Sequence, residues 1–114
     1  MKLRRLVALL FVVLAIVGGS GCASSAAAPV KTAAVTLPRS YRFDPASIEV
    51  RAGTTVTWTN ADNFTHSVQV TGTGDTHVMK PGETASIVFE RPGTYAYLCT
   101  FHAQNMKGTV TVTS

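Results

Sequence analysis

From Val35 to the end of the chain, apolar and polar residues alternate with a period of two almost everywhere. In TVTWTN, Val56 and Trp58 stand against Thr55, Thr57 and Thr59, the pattern of a strand with one buried face. HSVQV sets His66, Val68 and Val70 against Ser67 and Gln69. ASIVFE puts Ala85, Ile87 and Phe89 on one face, with Val88 blurring the other. TYAYLC groups Tyr95, Tyr97 and Cys99, and GTVTVT sets Val110 and Val112 against Thr109 and Thr111. The turn signals DPAS, RAGT, TGTGD, KPGE and RPGT separate these runs, and nothing reads as a long helix. The pattern predicts an all-β Greek-key sandwich of about seven to eight strands. Pro38 predicts that the first strand lies at an edge or bends there.

The N-terminal third follows different rules. Lys2, Arg4 and Arg5 precede an apolar run from Leu6 to Val17 and small residues from Gly18 to Gly21, the three-part plan of a secretory signal. The run is short for a membrane-spanning helix, which makes an uncleaved anchor the lesser reading. Residues 1–21 are expected to be a signal peptide, residues 22–34 an Ala- and Ser-rich tether, and residues 35–114 the folded domain. Cys22, after Ser20 and Gly21, resembles the lipid-modified cysteine of bacterial lipoproteins, although Gly19 stands where Leu, Val or Ile is usual. Lipidation at Cys22 predicts an exported, membrane-anchored protein of the cell envelope. The alternative is an ordinary signal cut within residues 23–28, with Cys22 discarded.

The formal net charge of +4 changes meaning once the leader is set aside, because Lys2, Arg4 and Arg5 supply three of those charges. The remainder is nearly neutral without a basic cluster, so no nucleic-acid partner is expected. An exported protein with two cysteines would ordinarily form a disulfide. With Cys22 carrying lipid, Cys99 has no partner, and a bound metal becomes the leading use for it.

Parity places Cys99 and His66 at the ends of inward-facing rows, at one pole of the sandwich. His102 and Met106 follow Cys99 in YLCTFHAQNMKG. One thiolate, two imidazoles and one thioether form the donor set of blue-copper sites, because soft sulfur suits Cu(I) and nitrogen suits Cu(II). Singly, each residue also has a plain packing role, and it is their coincidence that points to a metal. Zinc also takes Cys and His, but the methionine favours copper. Haem attachment is excluded for want of a second cysteine in Cys-x-x-Cys-His. His77 and Met79 read as surface or packing residues, and Tyr95 as a tyrosine that pins a sandwich corner.

From Tyr41 to Ser114 the chain resembles the cupredoxin family, in particular its plastocyanin, pseudoazurin and amicyanin branch. FDPASIEVRAGTTVTWTN, THSV, KPGETASIVFERPGTYAYLCTFH and MKGTVTV stand in that family's order. The resemblance implies a single type 1 copper held by His66, Cys99, His102 and axial Met106, with both histidines binding through Nδ1. It implies a monomeric one-electron carrier whose donor and acceptor proteins dock near His102, beside Phe101 and Phe64. The sequence departs from the family at three points. Ser67 replaces the usual Asn, which weakens a bridge between the two ligand loops; Phe101 replaces a common Pro, which leaves the loop less fixed by its backbone; and the His102-to-Met106 spacing is intermediate. The competing functions are an envelope copper chaperone using the same site and a metal-free adhesive sandwich. The chain lacks the Met-rich or His-rich tracts of a copper collector. An enzyme is not expected, because four protein ligands leave no open position for a substrate.

Overall fold

The computed structural model describes residues 28–114. The expected signal 1–21, Cys22 and the first part of the expected tether lie outside the described residues. Nine strands form: β1 (Val30–Lys31), β2 (Ala34–Leu37), β3 (Ser47–Arg51), β4 (Thr54–Asn60), β5 (His66–Val70), β6 (Thr76–Met79), β7 (Thr84–Phe89), β8 (Gly93–Leu98) and β9 (Lys107–Thr113). One sheet runs β1-β3-β9-β8-β5-β6 and the other β2-β4-β7. There is no helix among the described residues.

The all-β sandwich matches the alternation, and two elements differ from expectation. β1 lies inside the stretch expected to be a tether, with Val30 paired to Ile48 and Lys31 to Glu49. Ala34 already opens β2, so paired structure starts at Val30 rather than at residue 35. Both β1 residues are exposed, which is why no alternation marks them. The second element is β6, which forms where the sequence reads as turns and turns Val78 outward and Met79 into the core. β2 is an edge strand that stops at Leu37, one residue before Pro38, as that proline requires.

Between the sheets an aromatic line fills the core. Phe43 meets Tyr97 edge-on at 4.8 Å, Tyr97 meets Trp58 at 5.3 Å, Trp58 meets Phe89 at 6.3 Å and Phe89 meets Tyr95 at 5.3 Å. Trp58 and Tyr97 are fully buried, each contributing about 1.5–3 kcal/mol on area grounds. The Tyr97 hydroxyl donates to the Ala46 carbonyl at 2.7 Å, and burial pushes its pKa up. Its ring lies across Gly108, its cross-strand partner. A Cβ at Gly108 would collide with that ring and with the Ala46 carbonyl, so the glycine is a condition for burying Tyr97. Tyr95 donates to the Arg91 carbonyl at 2.8 Å and closes the corner expected of it.

Candidate metal centre

The antiparallel register of neighbouring strands assembles one end of the larger sheet. β5 and β8 pair Gln69 with Leu98 and Val70 with Tyr97. Continued outward, that register sets Ser67 across from Thr100, and His66 lies one residue further along β5. β8 and β9 pair Leu98 with Lys107, and the next step brings Cys99 opposite Met106. There the Cys99 N–H donates to the Met106 carbonyl at 3.1 Å. The ligand loop is therefore the hairpin connection between β8 and β9, with Cys99 and Met106 facing each other at its mouth.

Inside that loop the backbone closes on itself. The His102 N–H donates to the Cys99 carbonyl at 3.2 Å, and the His102 carbonyl accepts from Asn105 at 3.0 Å and Met106 at 2.9 Å. These bonds close the loop on itself without the proline that Phe101 replaces. Phe101 itself points to solvent, 55% exposed.

The candidate donors converge. Nδ1 of His66 and Nδ1 of His102 each lie 3.8 Å from Cys99 Sγ. The three donor atoms lie within 4.8 Å of one another. His66, Cys99 and Met106 are fully buried, and His102 is half-buried. His77 stands apart from this group. Met79 is a core residue directly opposite His66. A family model, the cupredoxin-like domain, matches residues 6–112.

The chain belongs to the cupredoxin-like family.

This cupredoxin is 36% identical over 83 residues to plastocyanin from Scenedesmus fuscus, covering 61% of this chain and 85% of that one. It is 36% identical over 77 residues to amicyanin-alpha from Methylorubrum extorquens, covering 62% of this chain and 64% of that one. Among solved structures it superposes on a purple cupredoxin from Nitrosopumilus maritimus with a TM-score of 0.63 and 31% identity, over 72% of this chain and 100% of that one.

The donor spacing of this cupredoxin fits a single first-row metal ion. Bonds of about 2.0–2.1 Å to imidazole and 2.3 Å to thiolate, set at a trigonal angle, separate nitrogen from sulfur by about 3.8 Å. Both observed separations are 3.8 Å. The mixture of soft sulfur and imidazole suits copper among such ions.

Around the donors the cupredoxin scaffold supplies partners that the sequence pattern did not single out. Asp62 is buried, and its Oδ2 lies 2.8 Å from Nε2 of His66. With Nε2 donating its proton there, Nδ1 is left with a free lone pair facing Cys99. The hydrogen bond from His66 holds the Asp62 carboxyl below the usual carboxylate range against the upward push of burial. The Asn63 amide, 2.7 Å from Oδ1, and the positive charge of Arg39 act in the same direction as His66. Asn60 organises this turn: its side-chain nitrogen donates to the Phe64 and Met79 carbonyls at 2.8 and 2.9 Å, and its oxygen accepts the Asp62 N–H at 2.9 Å. The available sequence signal was the acid four residues before a ligand histidine.

Ser67 overturns one expectation. Rather than weakening the bridge between the ligand loops, it makes one. Its Oγ accepts the Thr100 N–H at 2.8 Å and lies 2.7 Å from Thr100 Oγ1. Its own N–H points at Cys99 Sγ from 3.4 Å. That amide places a partial positive charge beside the sulfur of a candidate donor. A third group missed from the sequence is Tyr41, whose ring lies 4.5 Å from that of His102 and 5.7 Å from that of His66.

Proposed function

We propose that this cupredoxin is a one-electron carrier built on one type 1 copper, held by His66, Cys99 and His102 with Met106 as the axial ligand. The equal 3.8 Å approach of two imidazole Nδ1 atoms to one buried thiol carries this reading. When bound, the metal supplies exchange of a single electron between Cu(I) and Cu(II).

The residues provide what such a carrier requires. Asp62 fixes the proton of His66 on Nε2 and keeps Nδ1 available. The Ser67 amide faces the Cys99 sulfur, and the Ser67 hydroxyl ties the Cys99 loop to β5. The backbone bonds among Cys99, His102 and Met106 hold three donors in one rigid hairpin loop. A frame of this kind keeps the same donor positions in both oxidation states, so little reorganisation opposes electron transfer. Four protein donors leave no position for a substrate, in keeping with a carrier rather than an enzyme.

Partner proteins dock, on this reading, at the aromatic pole beside His102. Phe64 and Phe101 are each more than half exposed, and Phe64 stacks on Tyr41 at 5.5 Å. A patch of this size suits brief, weak contact with an electron donor or acceptor. The basic start, apolar run and Cys22 of the leader support export to the cell envelope with a lipid anchor. The test is to add Cu(II) to the purified protein. An intense visible thiolate-to-copper band that disappears in Cys99→Ser is the expected result; a colourless wild-type complex, or a band that survives the substitution, refutes the proposal.

A further inference from the structure

His66 and His102 are restrained in different ways. His66 is fully buried, and its second ring nitrogen is held by Asp62. His102 sits half-buried in a hairpin loop, and the one polar contact of its ring among the described residues is that of Nδ1 with Cys99 Sγ. What packs on its ring is Tyr41. The rings of Tyr41, His66 and His102 form a closed triangle with centroid separations of 4.5, 5.4 and 5.7 Å. Phe64 stacks on Tyr41 at 5.5 Å with an interplanar angle of 26°.

The backbone beneath Tyr41 is independently unusual. Ser40 has φ 93° and Tyr41 has φ 54°, two consecutive non-glycine residues in the left-handed region. A bulky aromatic residue rarely adopts that conformation, and it persists only where surrounding contacts overrule the local preference. Here the Tyr41 ring contacts Phe64 and both histidines. The turn at residues 40–41 swings the ring over the donor cluster rather than away from it.

We propose that Tyr41 is a positioning residue that acts as a latch on His102, keeping that imidazole seated so that the metal is retained. The proposal rests on the copper reading above. His102 is the donor that can leave, because it is the half-exposed one and, among the described residues, no buried carboxylate holds it. Releasing the metal toward solvent requires the His102 ring to move, and Tyr41 packs against that ring. The latch therefore acts on the rate of metal loss, a property separate from electron transfer.

The test uses the full chain loaded with copper, reduced to Cu(I) and mixed with excess bathocuproine disulfonate, with the rate of copper capture as the readout. Tyr41→Ala is expected to release copper roughly 3- to 10-fold faster than wild type, the worth of one lost aromatic contact. Tyr41→Phe keeps the ring and is expected to stay within about twofold of wild type. Equal rates in wild type and Tyr41→Ala overturn the proposal. So does a rise in Tyr41→Ala that merely equals the rise in its global unfolding rate, measured in parallel on the same loaded protein. The two readings fail separately: a wild-type protein without the Cu(II) band sinks the copper assignment, whereas a coloured wild type with unchanged release in Tyr41→Ala sinks the latch alone.

Discussion

Replacing Asp62 by Asn takes one acceptor away from a site that has two donors. In the native arrangement Oδ2 lies 2.8 Å from His66 Nε2, and Oδ1 accepts the Asn63 N–H at 2.7 Å. The carboxamide brings one oxygen and one NH2 group, so only one of the two donors can be served. If the oxygen stays with Asn63, the NH2 group faces His66 Nε2 and favours the ring tautomer that carries its proton on Nδ1. That is the atom aimed at Cys99 Sγ, and a protonated Nδ1 cannot bind a metal. If the oxygen turns to His66 instead, the Asn63 amide is left facing a second donor. The second outcome leaves a part-buried donor unpaired and costs about 1–3 kcal/mol, whereas the first acts through the tautomer on metal binding. For a domain of this size each lost kcal/mol lowers the unfolding midpoint by about 4–8 °C. Copper affinity is expected to fall by about 10–100-fold, the usual effect of removing a partner that orients a ligand histidine. Three measurements test this: thermal unfolding of the metal-free proteins, competition titration for copper, and nitrogen NMR of the His66 tautomer. An Asp62→Asn protein with native stability, native affinity and the proton still on Nε2 would refute the reasoning.

Three further outcomes follow from the same geometry. Because the folded-state pKa of Asp62 is lowered, its contribution to stability is complete above the ordinary carboxylate range and is lost as pH falls through the lowered value, the unfolded state protonating first; acid unfolding of the metal-free protein should show this loss, and Asp62→Asn should remove it. Ser67→Ala deprives the Thr100 N–H of its acceptor and should destabilise the protein by about 1–3 kcal/mol, with faster hydrogen exchange at the Thr100 amide as the local check; unchanged exchange there would contradict the bridge. Gly108→Ala forces a Cβ into the Tyr97 ring and the Ala46 carbonyl, and denaturant unfolding should show a loss of at least about 1–3 kcal/mol; a neutral result would mean that Tyr97 does not lie across that glycine.

Strand parity was legible because the sandwich buries one face of most strands. Val56, Trp58, Val68, Tyr97, Val110 and Val112 all occupy the core that alternation gives them. β1 escaped because both of its residues are exposed and its pairing is supplied by β3. The crowding of Cys99, His102 and Met106 is equally a property of the sequence, since one hairpin loop carries all three. Ser67 was misjudged for a physical reason: what matters is whether its oxygen reaches the Thr100 amide, and the β5–β8 register decides that. Asp62 and Tyr41 went unrecognised because an acid near a histidine and an aromatic beside an arginine are common, and only distances separate a partner from a bystander.

The chain by itself determined the all-β class, the positions of the turns and the donor types, because period-two alternation and residue chemistry are local properties. Tertiary structure alone decided which atoms meet. It brought His66 from β5 to the β8–β9 loop, set Asp62 at the Nε2 edge of that imidazole and folded residues 40–41 so that a tyrosine packs against both histidines. Except for Asp62, four residues from His66, those encounters join residues far apart along the chain, fixed by strand register and close packing across the sandwich. No local pattern of hydrophobic and polar positions encodes them.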